Sequence, residues 1–188
     1  MATQTALYLS DIHPAIYNRC QYFCDLTKLN FMQKITPCLW FDGKVEEAVK
    51  FYTSVFKDSK AKKMSYYGEA GPGKKGTAMT ATFQLNGQDF MILNGGPMFK
   101  FNESISFVID CKTQKEVDYY WDKLSAGGYK DRCGWVKDKY GVSWQIVPGI
   151  LGELLADKDP AKTKKVMQAM LQMDKLDIKA LKKAYAGK

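Results

Sequence analysis

Residues 77–93 read TAMTATFQLNGQDFMIL. Two runs rich in apolar and β-branched residues flank Asn86-Gly87. A tight type I′ hairpin turn needs positive φ at both central residues, and Asn-Gly adopts it with the least strain. The stretch therefore predicts two antiparallel strands, Thr77–Leu85 and Gln88–Leu93.

Working upstream, Lys60–Tyr67 reads as another strand, joined to the hairpin by GEAGPGKKG (68–76), which reads as a flexible loop. Before it, Val45, Ala48, Val49, Tyr52, Val55 and Phe56 recur at helical spacing, which predicts an amphipathic helix over Lys44–Phe56. The run KITPCLWF (34–41) reads as a strand, with Pro37 marking an edge or a chain entry, and Asp42-Gly43 turns the chain. Asn94-Gly95-Gly96-Pro97 closes the unit. The first half is strand, helix, strand, strand, strand.

Downstream the order repeats. Ser104–Asp110 reads as a strand. Thr113 with Glu116 three residues later forms a capping-box pattern, and Val117, Tyr120, Trp121 and Leu124 make the stripe of a helix that Gly127-Gly128 stops. Tyr129–Cys133, Trp135–Lys137 and Val142–Val147 read as three short strands, with Asp138–Gly141 as the last turn. An internal repeat of about 60 residues is the main architectural signal. After Pro148 the chain reads as helical: Ile150–Ala156, then a helix opened by Asp159-Pro160 with Val166, Met167, Met170 and Leu171 on one face, then a short one carrying Leu176, Ile178 and Leu181.

The chain has 188 residues, 46% of them hydrophobic and 13% aromatic, enough for a real core. No apolar run approaches the roughly 20 residues of a membrane span, and the first 31 residues lack a secretory pattern, so a cytoplasmic protein is expected. The five cysteines, Cys20, Cys24, Cys38, Cys111 and Cys133, form no CxxC pair, and the single histidine is His13, so no zinc motif is present. The net charge of +8 is concentrated at the end: residues 157–188 hold nine lysines and four acids. That tail has no arginine and one aromatic, Tyr185, which disfavours nucleic-acid recognition.

The runs ITPCLWFDG, FYTSVF, FQLNGQDFMILNGGPMFKFNESISFVI, EVDYYWDKLSAGG, CGWVKDKYGVSWQIVP and VMQAMLQMDKLDI together resemble PhnB-like proteins. These are the subgroup labelled 3-demethylubiquinone-9 3-methyltransferase in the glyoxalase, bleomycin-resistance and dioxygenase (vicinal oxygen chelate) superfamily. The similarity spans about Lys34 to Tyr185. It implies an α+β fold of paired βαβββ modules forming a curved mixed sheet around a cavity, with a C-terminal helical tail. It also implies a homodimer, sometimes with exchanged modules. The expected organisation is an N-terminal extension (1–31), a glyoxalase-like domain (32–150) and a tail packed on it (151–188).

The superfamily holds its metal with four side chains, the last commonly the glutamate of Asp-x-x-Gly-x-x-x-Glu. Here Asp138, Gly141 and Gln145 take that spacing, so the glutamate is a glutamine. The resemblance places the other positions near Ile35 or Thr36, Met91 or Ile92, and Ser104. A catalytic metal site keeps about three good protein ligands, so neither a metal nor another cofactor is expected. The methyltransferase label finds no glycine-rich cofactor turn: the first strand ends in Phe41-Asp42-Gly43, and GPGKKG (71–76) lacks P-loop spacing.

The leading expectation is a protein that binds a small organic molecule through Gln145, Trp135, Trp40, Ser104, Ser106 and Asn94. One alternative is an enzyme of the same superfamily that is metal-independent or uses an atypical metal, with Asp138, Asp110 or Glu103 as the acid or base. Cys133 and Cys38 lack a paired histidine to activate them. Another alternative is an interaction protein acting through the lysine-rich tail.

Overall fold

The computed structural model describes residues 35–187. The extension 1–31, with His13, Cys20 and Cys24, lies outside the described residues.

The first module runs β1 (Cys38–Phe41), α1 (Val45–Val55), β2 (Ser59–Tyr66), β3 (Ala78–Leu85) and β4 (Gln88–Asn94). The second runs β5 (Ser106–Cys111), α2 (Gln114–Ser125), β6 (Tyr129–Lys130), β7 (Trp135–Lys137) and β8 (Ser143–Pro148). Each builds its own four-stranded sheet, in the orders β1-β4-β3-β2 and β5-β8-β7-β6. The opening strand of each module lies parallel to its last strand, and the other pairings are antiparallel. The expected pair of βαβββ modules is present, and the sequence repeat is a repeat of topology.

The local signals act as their chemistry dictates. Asn86 and Gly87 take φ of 46° and 81°, which closes the β3–β4 hairpin in register, Leu85 opposite Gln88. Thr113 Oγ1 accepts from the Glu116 N–H at 3.2 Å, while Glu116 reaches back to the Lys112 N–H at 2.6 Å, one residue ahead of the cap.

Three strands have an end displaced by two residues or more from the expected bounds. β1 begins only at Cys38, because Pro37 has no N–H and contributes its carbonyl, which accepts from the Met91 N–H. β5 begins at Ser106 rather than Ser104. β6 ends at Lys130, since Cys133 and Gly134 turn the chain through φ of 56° and 83°. A Cβ at Gly134 would stand 2.6 Å from the Ile146 carbonyl oxygen, so only glycine fits there.

Each sheet turns one face to the helices, and these faces merge into one core. On β8 the alternation is plain: Trp144 and Ile146 are buried, while Gln145 and Val147 between and after them are half-exposed. Tyr52 of α1 is fully buried, stacked on Phe83 at 5.8 Å and tilted against Trp144 of the other module at 5.8 Å. Phe90–Phe107 and Phe41–Phe101 contacts, at 5.1 and 5.4 Å, join the modules elsewhere. Large aromatics dominate such a core because each removes much apolar surface from water, worth about 2–3 kcal/mol per fully buried ring.

The tail forms α3 (Ile150–Leu155), α4 (Pro160–Met170) and α5 (Ile178–Tyr185). Asp159 caps α4 and Asp177 caps α5. A second cluster gathers Leu151, Leu154, Val166, Leu176 and Leu181, with Val147 of β8 packed against it. The expected α4 face is only half right. Val166 is buried and Met170 partly so, but Met167 and Leu171 are 40% and 48% exposed. The short neighbouring helices cover one narrow stripe, and Met167 and Leu171 fall outside it. Among the described residues no helix is long and apolar enough to cross a membrane.

Candidate functional site

The face of the second sheet away from the core carries the chemistry. Register fixes its rows: Trp135 opposes Gln145, which lies beside Val108, and Lys137 opposes Ser143, which lies beside Ser106. Residues paired across strands share a face, and alternate residues along one strand do too. Trp135, Gln145, Val108, Lys137, Ser143 and Ser106 therefore stand together. Val108, in the row of Gln145, is 62% exposed, while Val147 at the far end of this face packs against the helical tail.

Gln145 Nε2 donates to Ser106 Oγ at 2.9 Å. That bond holds the amide across two strands, with Trp135 beside it. Three of the six expected binding residues, Gln145, Ser106 and Trp135, are thus brought together.

The other three are not. Trp40 donates its indole N–H to the Gly96 carbonyl at 2.8 Å and packs edge-on to Phe99 at 5.1 Å. Its ring lies so close to Gly95 that a Cβ there would overlap it at 2.1 Å. Asn94 accepts from the Gly43 N–H at 2.9 Å and donates to the Ala78 carbonyl at 3.0 Å, which ties the β1–α1 turn to the first sheet. Ser104 is exposed in the loop before β5. The Asn102 side chain accepts from both its N–H and its hydroxyl, forming a local turn that delays the strand by two residues. The fifth-strand position facing Gln145 is therefore Ser106, not Ser104.

Asp138, a candidate acid or base, is 2% exposed. Its Oδ2 accepts from Tyr52 OH at 2.8 Å and Trp144 Nε1 at 2.9 Å, and its Oδ1 from the Tyr140 and Val142 N–H groups at 2.9 and 3.1 Å. Burial raises its carboxyl above the usual range, against the pull of these four donors. A carboxylate so enclosed binds the modules and the last turn together; it has no open side for a substrate. Asp110 stays exposed beside Gly149, and Glu103 pairs with Lys137. Cys111 is buried and its thiol is pushed up to about 12, while burial raises Cys38 to about 11. Neither is a nucleophile near neutral pH.

The register locates three of the superfamily's metal positions on the two sheets. Gln145 beside Val108 on β8 corresponds to Met91 beside Cys38 on β4, the repeat of the same pairing. On the two sheets these positions hold Met91, Ser106 and Gln145: a thioether, a hydroxyl and an amide already engaged to its neighbour. Divalent ions of this chemistry need carboxylate or imidazole donors. Among the described residues no group of three or more His, Cys, Asp or Glu comes together. The donor set does not fit a divalent metal.

Sequence reading passed over Lys137 and Ser143 on this face. The signal was available in the period-two pattern of β7 and β8, but only the register aligns the two strands.

A family model for 3-demethylubiquinone-9 3-methyltransferase matches residues 33–147. The PhnB protein of Bacillus cereus, which carries that same name, is similar at 43% identity over 62% of this chain and 99% of its own, with a TM-score of 0.58. A protein of Pseudomonas aeruginosa is 20% identical over 61% of this chain and 96% of its own, at a TM-score of 0.52. The fosfomycin resistance protein FosX of Listeria monocytogenes shares the fold at 15% identity, over 68% of this chain and 99% of its own, with a TM-score of 0.50. No curated protein matches. With the paired modules and the family match in agreement, the chain belongs to the PhnB-like, 3-demethylubiquinone-9 3-methyltransferase family.

Proposed function

We propose that this protein binds a small organic molecule on the face of its second sheet away from the core, without a resident metal. The observation that carries the reading is the Gln145–Ser106 hydrogen bond, set in one row with Trp135 and Val108. A fixed amide flanked by an indole and an exposed Val108 offers one directional polar contact inside an apolar surround, the usual make-up of a ligand site.

A homodimer completes the proposal. Among the described residues β5 pairs only with β8, so its other side is open to a strand of a second copy. A second copy would cover the face and turn it into a cavity. The protein would act in the cytoplasm.

A thermal-shift screen with planar aromatic and quinone-like compounds tests the reading. Hits should raise the melting temperature of the wild type, and Gln145→Ala and Trp135→Ala should lose the response. A response kept intact by both variants would place binding elsewhere.

A further inference from the structure

Ser143 is 1% exposed, and its hydroxyl is the single buried side-chain polar atom without a hydrogen-bond partner among the described residues. Native structures rarely leave a buried polar atom so. Nothing in the fold asks for this hydroxyl, since alanine would fill the same place in the ladder.

Its surroundings say what it awaits. Ser143 sits directly between Lys137 of β7 and Ser106 of β5, in the row next to Gln145 and Trp135. The Lys137 ammonium is held by Glu103, a carboxylate from the exposed loop that precedes β5. Lys137 and Glu103 are both partly open to solvent, at 33% and 57%. Exposed ion pairs of this kind are weak and easily exchanged. One row thus offers a cation, a hydroxyl with no partner, and a carboxylate of the protein's own already bound to that cation.

We propose that the ligand of this face is an aromatic carboxylate, whose carboxylate displaces Glu103 from Lys137 and takes the proton of the neighbouring Ser143 hydroxyl in a hydrogen bond, while its ring lies against Trp135. The proposal rests on the binding reading above and names the ligand class. Glu103 is an internal stand-in: it satisfies Lys137 in the empty protein and must be displaced. Lys137 supplies the charge, Ser143 donates its unused proton to a carboxylate oxygen, and the Trp135 indole supplies a flat apolar contact.

Calorimetric titration of the full chain with 1-naphthoate and its neutral counterpart 1-naphthamide decides it. Naphthoate should bind about tenfold or more tightly than naphthamide, as a charge-assisted contact implies. Lys137→Met should erase that preference. Ser143→Ala should weaken naphthoate several-fold yet leave melting unchanged or higher, because the hydroxyl contributes nothing to the fold. Glu103→Gln should strengthen naphthoate by removing its competitor. Equal affinity for the two probes overturns the carboxylate assignment and leaves the binding reading standing. A Ser143→Ala variant with wild-type affinity removes Ser143 from the site, and weaker binding by Glu103→Gln overturns the stand-in. Failure of both probes, together with an empty thermal-shift screen, overturns the inference and the reading beneath it.

Discussion

Tyr52 on the first module's helix donates its hydroxyl to Asp138, 86 residues away in the last turn of the second module, at 2.8 Å. Both groups are buried, and Trp144 donates to the same carboxylate oxygen. The bond ties α1 to the strand that carries Gln145, so the packing of one module sets the position of the other's candidate site.

Removing that bond is expected to cost stability without touching the binding face. Tyr52→Phe loses one buried charge-assisted bond, about 1.5–3 kcal/mol. Asp138→Asn costs more, about 3 kcal/mol, because an amide cannot accept from every donor that meets the carboxylate and the Trp144 N–H can only donate. Urea denaturation of the two variants and the double variant measures both costs and their coupling. Additive costs would show that the two groups act independently.

Asp138 also sets a pH dependence of known sign. Burial, the leading cause, raises its folded-state pKa above the unfolded value. The folded protein therefore holds this proton more tightly, and the contribution is present at low pH and lost as pH rises through the raised pKa. Glu47, Glu103, Asp118 and Asp157 act oppositely, since hydrogen bonds from Lys139, Lys137, Lys175 and Tyr185 lower each pKa. Their contributions are present above the unfolded pKa and fade as pH falls through the lowered values. Melting temperatures of wild type and Asp138→Asn from pH 7 to pH 3 should diverge, the wild type gaining on the variant as acid is added. A gap that narrows in acid would reverse the assignment.

Gln114, in the first turn of α2, fastens the tail. Its amide donates to the Leu176 carbonyl at 3.1 Å and accepts from the Ile178 N–H at 2.9 Å. Gln114→Ala leaves both backbone groups without that partner, at a cost of about 2 kcal/mol. Limited proteolysis should then cut first in the turn over residues 171–177, and a cleavage pattern like that of the wild type would count against the clamp.

The thiols give a fourth measurement. Cys38 is reached by solvent, yet the protein around it raises its thiol to about 11 from an ordinary 9.0. At neutral pH its thiolate fraction is about a hundredfold below that of a free cysteine, so alkylation by iodoacetamide should be slow and should climb about tenfold per pH unit. Cys111, buried and pushed up to about 12, should react only on unfolding. Mass spectrometry of the labelled sites follows both, and prompt labelling of Cys38 at pH 7 would contradict the shift.

Metal addition gives a fifth. Manganese and nickel should leave the melting temperature unchanged, because Met91, Ser106 and Gln145 offer no carboxylate or imidazole. A saturable shift abolished by Gln145→Ala would show that the amide does coordinate.

The sequence by itself determined what depends on short-range chemistry. Asn86-Gly87 could only be a tight turn, Thr113 and Glu116 could only start a helix, and the duplicated strand and helix pattern dictated two like modules. The position of Gln145, four residues after Gly141, was legible for the same reason. Tertiary structure decided whatever depends on how distant strands align. A shift of two residues put Ser106, not Ser104, beside Gln145, and the rows that group Lys137 with Ser143 come from pairing across three strands. The partners of Trp40 and Asn94, Gly96 for one and Gly43 and Ala78 for the other, were likewise fixed by chain folding. Side-chain period names the residues on a face; only the register between strands names their neighbours.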